Sequence, residues 1–253
     1  MSAVTVREFP RARRGTLTFL GGARETCHVY LWADVDASRM VTARTASGGK
    51  LSFVSMLAKE AADVVADFPD ARAMLQGGAL RPRLAVPDAV DVKVLFDKTV
   101  DGQRCVVSGT VPDAANLSVI EVQDHVTTYK DAPVDATGPY RQLLKMQRLP
   151  LPVARLVYRA ALRDPARRAA LQGTFSVTSV GQEQVRAIFP MISGTLGFGI
   201  GRIADTPVAD SGGVRVAPVF TLSLAFDHRV IDGAVASEVL GRVKSRLEAL
   251  DVA

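Results

Sequence analysis

A chain of 253 residues can bury a substantial core without disulfide or metal staples. Hydrophobic residues at 48% and charged residues at 23% exclude a disordered chain, and no run of about 18 apolar residues offers a membrane span. The net charge of +5 favours acidic partners such as a nucleotide-bearing cofactor, an acidic carrier protein or an anionic surface, but nucleic acid is set aside, because aromatic residues are only 6% and no zinc-finger, basic-zipper or aromatic RNA-binding motif appears.

Two cysteines, Cys27 and Cys105, make neither a disulfide framework nor a zinc spacing, so they are expected to be buried reduced thiols and no metal is expected. No secretory leader is legible, and a soluble cytoplasmic protein is the expectation.

In chain order, Arg7, Arg11, Arg13 and Arg14 precede Gly15 and the apolar Leu17, Phe19 and Leu20, as a basic arm or as the first turn of a helix. From Ser52 the spacing of Phe53, Met56, Leu57, Ala61, Val64 and Val65 predicts a helix, which Phe68-Pro69-Asp70 stops. Asp91 to Phe96 alternates as a strand, Asp101-Gly102 signals a hairpin, and a second strand follows over Arg104 to Val111. Asn116 or Ser118 caps a helix running through His125 to Tyr129.

Residues 130–150, punctuated by Pro133, Gly138, Pro139 and Pro150, are expected to be loop. Arg155, Arg159, Arg163 and Arg167 then fall four apart, a basic stripe on one helix face opposite Val153, Leu156 and Leu162, with Pro165 interrupting. Such a stripe is a solvated face, a clamp for coenzyme A phosphates, a dock for an acidic carrier protein or a membrane contact.

Gly173 to Gly181 is a Thr/Ser-rich strand, and Gly194 to Gly201 carries glycines that let strands approach closely. The latter is no nucleotide loop: a dinucleotide fingerprint needs glycine where Arg202 stands, and no Gly-Lys-Ser/Thr follows.

The organising stretch is Asp227-His228-Arg229-Val230-Ile231-Asp232-Gly233. Phe220, Leu222, Leu224 and Phe226 alternate with Thr221, Ser223 and Ala225 ahead of it, the pattern of a half-buried strand. Val235, Val239, Val243, Leu247 and Leu250 recur at helical spacing behind it. His228 thus stands on a tight strand-to-helix loop, as a packed or solvated histidine or as a general base, and Asp232 stands where an N-cap belongs.

The string from Ser223 to Ala236, with its His-x-x-x-Asp-Gly motif, resembles the active-site signature of the dihydrolipoyl acyltransferases, the catalytic cores of 2-oxoacid dehydrogenase complexes. The basic opening, Cys27 to Leu31, the Ser52 helix and Gly173 to Gly181 resemble further segments of that family. The resemblance implies one α/β catalytic domain over residues 1–253, a chloramphenicol acetyltransferase-like mixed sheet flanked by helices, in homotrimers with active sites at subunit interfaces. It implies His228 as general base, Thr178 as the hydroxyl facing the oxyanion, with Ser176 and Ser179 as rivals, and Asp232 as a residue held in an ion pair with an N-terminal arginine. Arg229 is expected to be structural.

One departure stands out: the family's Gly-Leu-hydrophobic-hydrophobic-Pro-Val segment along the substrate channel is replaced by Cys105 to Pro112. No lipoyl domain, Ala/Pro linker or subunit-binding domain is legible ahead of the core, and a core without a swinging arm is expected to collect its acyl group from solution or a separate carrier. The expectation is therefore a coenzyme A-dependent acyltransferase, using acetyl-CoA to O-acetylate a small-molecule hydroxyl, as do similar natural-product tailoring enzymes, including those acting on tetronates. Its expected partners are that hydroxyl acceptor and an acyl carrier protein, with no membrane. The alternatives are a dihydrolipoamide acyltransferase core with lipoyl domains supplied in trans, and a non-catalytic trimeric scaffold.

Overall fold

The computed structural model describes residues 4–5, 8–77, 80–100, 102–135 and 137–251. Arg7 and Asp101 lie outside the described residues.

The basic opening becomes a 3-10 turn, Arg11–Arg13, running into α1 (Arg14–Ala23). β1 (His28–Asp36) and α2 (Ser38–Ala46) follow, then α3 (Phe53–Ala66), whose Ser52 accepts from the Ser55 N–H in a capping box. Pro69 opens the short α4 (Pro69–Arg72), so the predicted stop is a change of direction. A two-stranded sheet, β2 (Met74–Gln76) with β3 (Arg83–Ala85), leads to the hairpin of β4 (Val92–Val100) and β5 (Gln103–Val111), with Gly102 at φ +72° in its turn. Of the two predicted caps for α5 (Val119–Asp131), Ser118 is the one used, in a capping box with Glu121.

Residues 130–150 are not all loop. Gln142 to Gln147 carries enough helix formers for α6 (Arg141–Arg148), packed against the opening turn and α1. The basic stripe is also not one helix: Pro165 lacks the N–H a helix interior requires, so α7 (Leu151–Ala161) ends and α8 (Pro165–Gln172) restarts, with Asp164 accepting from the Ala166 N–H. Arg155 and Arg159 therefore sit on α7, Arg163 in the turn and Arg167 on α8. Val153 and Leu156, expected opposite the arginines, are exposed, because Ala154 faces inward instead, while Leu162 is half-buried.

The large sheet closes with β6 (Phe175–Ser179), β7 (Leu196–Ile200), β8 (Ala204–Asp210), β9 (Gly213–Asp227) and the final helix α9 (Gly233–Glu248). Its order is β1-β9-β7-β6-β4-β5, with β8 on the outer half of β9. The β4–β6 and β6–β7 pairs are parallel and the rest antiparallel.

One face buries Val92, Val94, Phe175, Val177, Phe198, Leu222 and Leu224 against α3, α5 and α9. The other face carries the small or polar partners, and here the half-buried expectation for β9 fails: Thr221, Ser223 and Ala225 are buried as well. Residues 186–193 cross that face. Ser223 donates to the carbonyl of Ile188, and Cβ atoms built on Gly197 and Gly199 would lie 2.4 Å from Ile192 Cγ2 and 2.4 Å from the Ile188 carbonyl oxygen. Glycine is needed there for close approach, as the sequence spacing implied.

Candidate functional site

The loop after β9 is built from its backbone outward. The N–H groups of Val230 and Ile231 fold back onto the Asp227 carbonyl at 2.9 and 3.3 Å, and Ile231 is driven into the core. His228 donates its backbone N–H to the Cys27 carbonyl at 2.9 Å, which ties the loop to the start of β1. With its backbone held and its neighbour Ile231 inside, the imidazole turns outward and is 45% exposed.

Nδ1 lies 3.6 Å from an Asp232 carboxylate oxygen, and Nε2 has no partner among the described residues. The Phe226 ring stands 5.5 Å away, centroid to centroid. Asp232 has the extended backbone of an N-cap but its side chain makes no capping hydrogen bond; at 86% exposed it faces only His228 among the described residues. No described arginine of the opening reaches it within the chain.

Two ionic devices beneath the loop were not picked out from sequence as site elements. Asp227, 3% exposed, takes two nitrogens of the Arg229 guanidinium at 2.9 and 2.7 Å and the backbone N–H of Arg229 at 3.1 Å and Cys27 at 3.3 Å. The pairing raises the pKa of Arg229 further, against some loss from burial. Arg168 on α8 is the second: it donates to the carbonyls of Leu75 at 2.6 Å and Ser193 at 3.2 Å, and burial lowers its pKa. The four-residue spacing pointed instead to Arg167, which is exposed beside Asp164. No periodicity signals Arg168.

His28, read only as part of a strand, accepts the Ile192 N–H on Nε2 at 3.0 Å and so pins residues 186–193 to β1. Cys105 is buried, as expected, but Cys27 is exposed, because it precedes β1 at the rim where the His228 loop turns.

Thr178 is half-buried on β6 and its hydroxyl has no partner among the described residues. Ser176 shares its face, whereas Ser179 lies on the alternate face with Val177, and its Oγ accepts from the Gly181 N–H at 3.2 Å. Register places Thr178 beside Gly199, and Gly199 beside Ser223. His228 is thus five residues further along β9 and two strands across, roughly 20 Å from Thr178 on ordinary sheet spacings. One chain does not bring the two together.

Among the described residues no three His, Cys, Asp or Glu side chains cluster as a metal site, and no helix is long and apolar enough to cross a membrane.

Residues 144–253 match the family described as 2-oxoacid dehydrogenases acyltransferase (catalytic domain). A stretch of 50 residues is 50% identical to the dihydrolipoyllysine-residue acetyltransferase component of the pyruvate dehydrogenase complex of Bacillus subtilis (strain 168), covering 20% of this chain and 11% of that protein. The chain thus spans only a small part of the length of the curated relatives it matches. Its fold is similar to that of a probable dihydrolipoamide acetyltransferase from Listeria monocytogenes 4b F2365, with a TM-score of 0.73 at 16% identity over 98% of this chain and 96% of the other. It is also similar to chloramphenicol acetyltransferase, at a TM-score of 0.53 and 12% identity over 96% and 98% of the two chains. The mixed sheet flanked by helices is that fold.

Proposed function

We propose that this chain, whose C-terminal part from residue 144 matches a 2-oxoacid dehydrogenase acyltransferase catalytic domain, moves an acyl group between coenzyme A and a dihydrolipoyl thiol, with lipoyl domains supplied in trans. The observation that carries the reading is the exposed His228 ring, its Nε2 free and its Nδ1 facing Asp232, at the end of β9. A thiol attacks a thioester carbonyl as the thiolate, and a neutral imidazole takes the proton at Nε2. Asp232 favours the tautomer protonated at Nδ1 and steadies the imidazolium that forms. The tetrahedral intermediate then expels the coenzyme A thiolate, to which His228 returns the proton. Thr178 is the donor to the oxyanion, worth about 3 kcal/mol for one such group.

Because His228 and Thr178 lie roughly 20 Å apart along the sheet of one chain, each working site takes its histidine from one copy and its hydroxyl from a neighbour, as in a trimer with interfacial sites. A second reading is O-acetylation of a small-molecule hydroxyl by acetyl-CoA. What favours it is the sequence from Cys105 to Pro112, most of it on β5, which departs from the segment that the family resemblance leads one to expect along the acceptor channel.

Incubation with acetyl-CoA and either dihydrolipoamide or a panel of alcohols tests both. Coenzyme A release is followed chromatographically, because exchange of one thiol for another leaves total free thiol unchanged. Turnover with dihydrolipoamide supports the first reading and turnover with alcohols alone the second. Turnover with neither points to a silent scaffold. His228→Ala should cost about 10²–10⁴ in kcat, and a loss below about tenfold removes the base from the mechanism.

A further inference from the structure

We propose that a cleft framed by Arg11, Arg14 and Arg148 binds a phosphate-bearing small molecule at the end of the sheet opposite His228 of the same chain. The cleft is about 510 Å³, within the range of small-molecule sites, and lies between the opening turn, the end of β4 and α6. Arg11 and Arg14 enter it from the turn and the start of α1, and Arg148 from the last turn of α6. Among the described residues none of the three guanidinium groups has an ion-pair or hydrogen-bond partner. The one acid in the lining, Asp135, is engaged by its own loop: Oδ1 accepts from the Thr137 N–H, the Thr137 hydroxyl and the Gly138 N–H at 2.8–2.9 Å.

Three like charges around one concavity repel each other unless an anion joins them, and a guanidinium offers a planar fork that matches phosphate oxygens two at a time. The surroundings add to this field. Residues 141–170 hold eight Lys or Arg and one acid, a net +7 against +5 for the whole chain, so the rest of the molecule is net negative.

The frame is also preformed. Gln147 donates to the Ala12 carbonyl at 3.1 Å, and Ala12 packs with Val100, Val107 and Tyr140 in a small buried cluster, which fixes the turn against α6. Three separate forks on a fixed frame suit two or more phosphate groups better than one. By register Val92 is level with Phe226, so the cleft beside Val100 stands at the opposite end of the sheet, three strands away. That is roughly 35 Å from His228 of the same chain.

The test is titration calorimetry of the full chain at low salt with inorganic pyrophosphate and with adenosine 3′,5′-bisphosphate. Saturable binding that weakens tenfold or more in the Arg14→Gln/Arg148→Gln variant, with an unchanged circular dichroism spectrum, is the expected result. The Arg155→Gln/Arg159→Gln variant removes the same charge outside the cleft and should bind as wild type; an equal loss there means a diffuse field and overturns the site. Absence of saturable binding by wild type overturns it too, as does binding seen only with phosphatidylglycerol vesicles. Arg11→Gln alone, judged by the same loss, decides the matter if the double variant does not fold.

Discussion

Mixing two inactive variants should restore activity. On the proposed mechanism His228→Ala removes the general base, costing about 10²–10⁴ in rate, and Thr178→Ala removes the oxyanion donor, costing about 10²–10³. In the proposed mechanism the base reaches the attacking thiol and the donor the carbonyl oxygen, each at about 3 Å, yet the register of β6, β7 and β9 separates the two side chains by roughly 20 Å within a chain. The proposed site shared between copies resolves the conflict. When the two variants are unfolded together and refolded in equal amounts, chance alone decides which chain supplies each half. The base is intact about half the time and the donor about half the time, so about a quarter of the sites are whole. Coenzyme A release by the mixture should approach a quarter of the wild-type rate, whereas the two parents acting side by side give no more than about a hundredth. A mixture no more active than its parents would refute the shared site and, with it, the pairing of Thr178 with His228.

Two cations, Lys93 and Arg229, give further tests. Lys93 on β4 donates to the Leu171 carbonyl at 3.0 Å and lies 5.5 Å from the Phe19 ring centroid, and burial of its ammonium lowers its pKa to about 8 from 10.5. The unfolded chain keeps this proton until about pH 10.5 while the folded chain releases it from about pH 8, so the unfolded state binds more protons between them and stability rises with pH there. Lys93→Met should therefore be more stable than wild type at pH 7 by about 1–2 kcal/mol, the relief of a desolvated charge less one lost hydrogen bond. The advantage should shrink by pH 9.5 in urea titrations; a variant less stable at pH 7 contradicts the assignment. Arg229→Ala leaves the 3%-exposed Asp227 carboxylate with only backbone N–H partners, and should cost about 2–3 kcal/mol together with a fall in kcat as the His228 loop loosens. A change under about 0.5 kcal/mol in urea unfolding would show that the pair holds nothing.

Much of this protein is written locally. The caps at Ser52 and Ser118, the hairpin around Gly102, the alternation of β9 and the helical stripe of α9 follow from short-range spacing, because a turn, a cap or an amphipathic face is decided by residues a few positions apart. The place of His228 on a tight strand-to-helix loop was legible for the same reason, whereas its expected role as a base came from the family resemblance.

What spacing could not supply was the covering of the second sheet face by residues 186–193, the engagement of Arg168 rather than Arg167, the exposure of Cys27 or the Asp227–Arg229 pair as a support. Each depends on segments far apart in sequence meeting in space, and periodicity carries no record of which distant carbonyl an arginine will find. The sequence by itself determined most of the elements and the loop that carries His228; only the tertiary structure decided the strand register that holds Thr178 away from it, because inter-strand hydrogen bonding among β6, β7 and β9, not local preference, sets that distance.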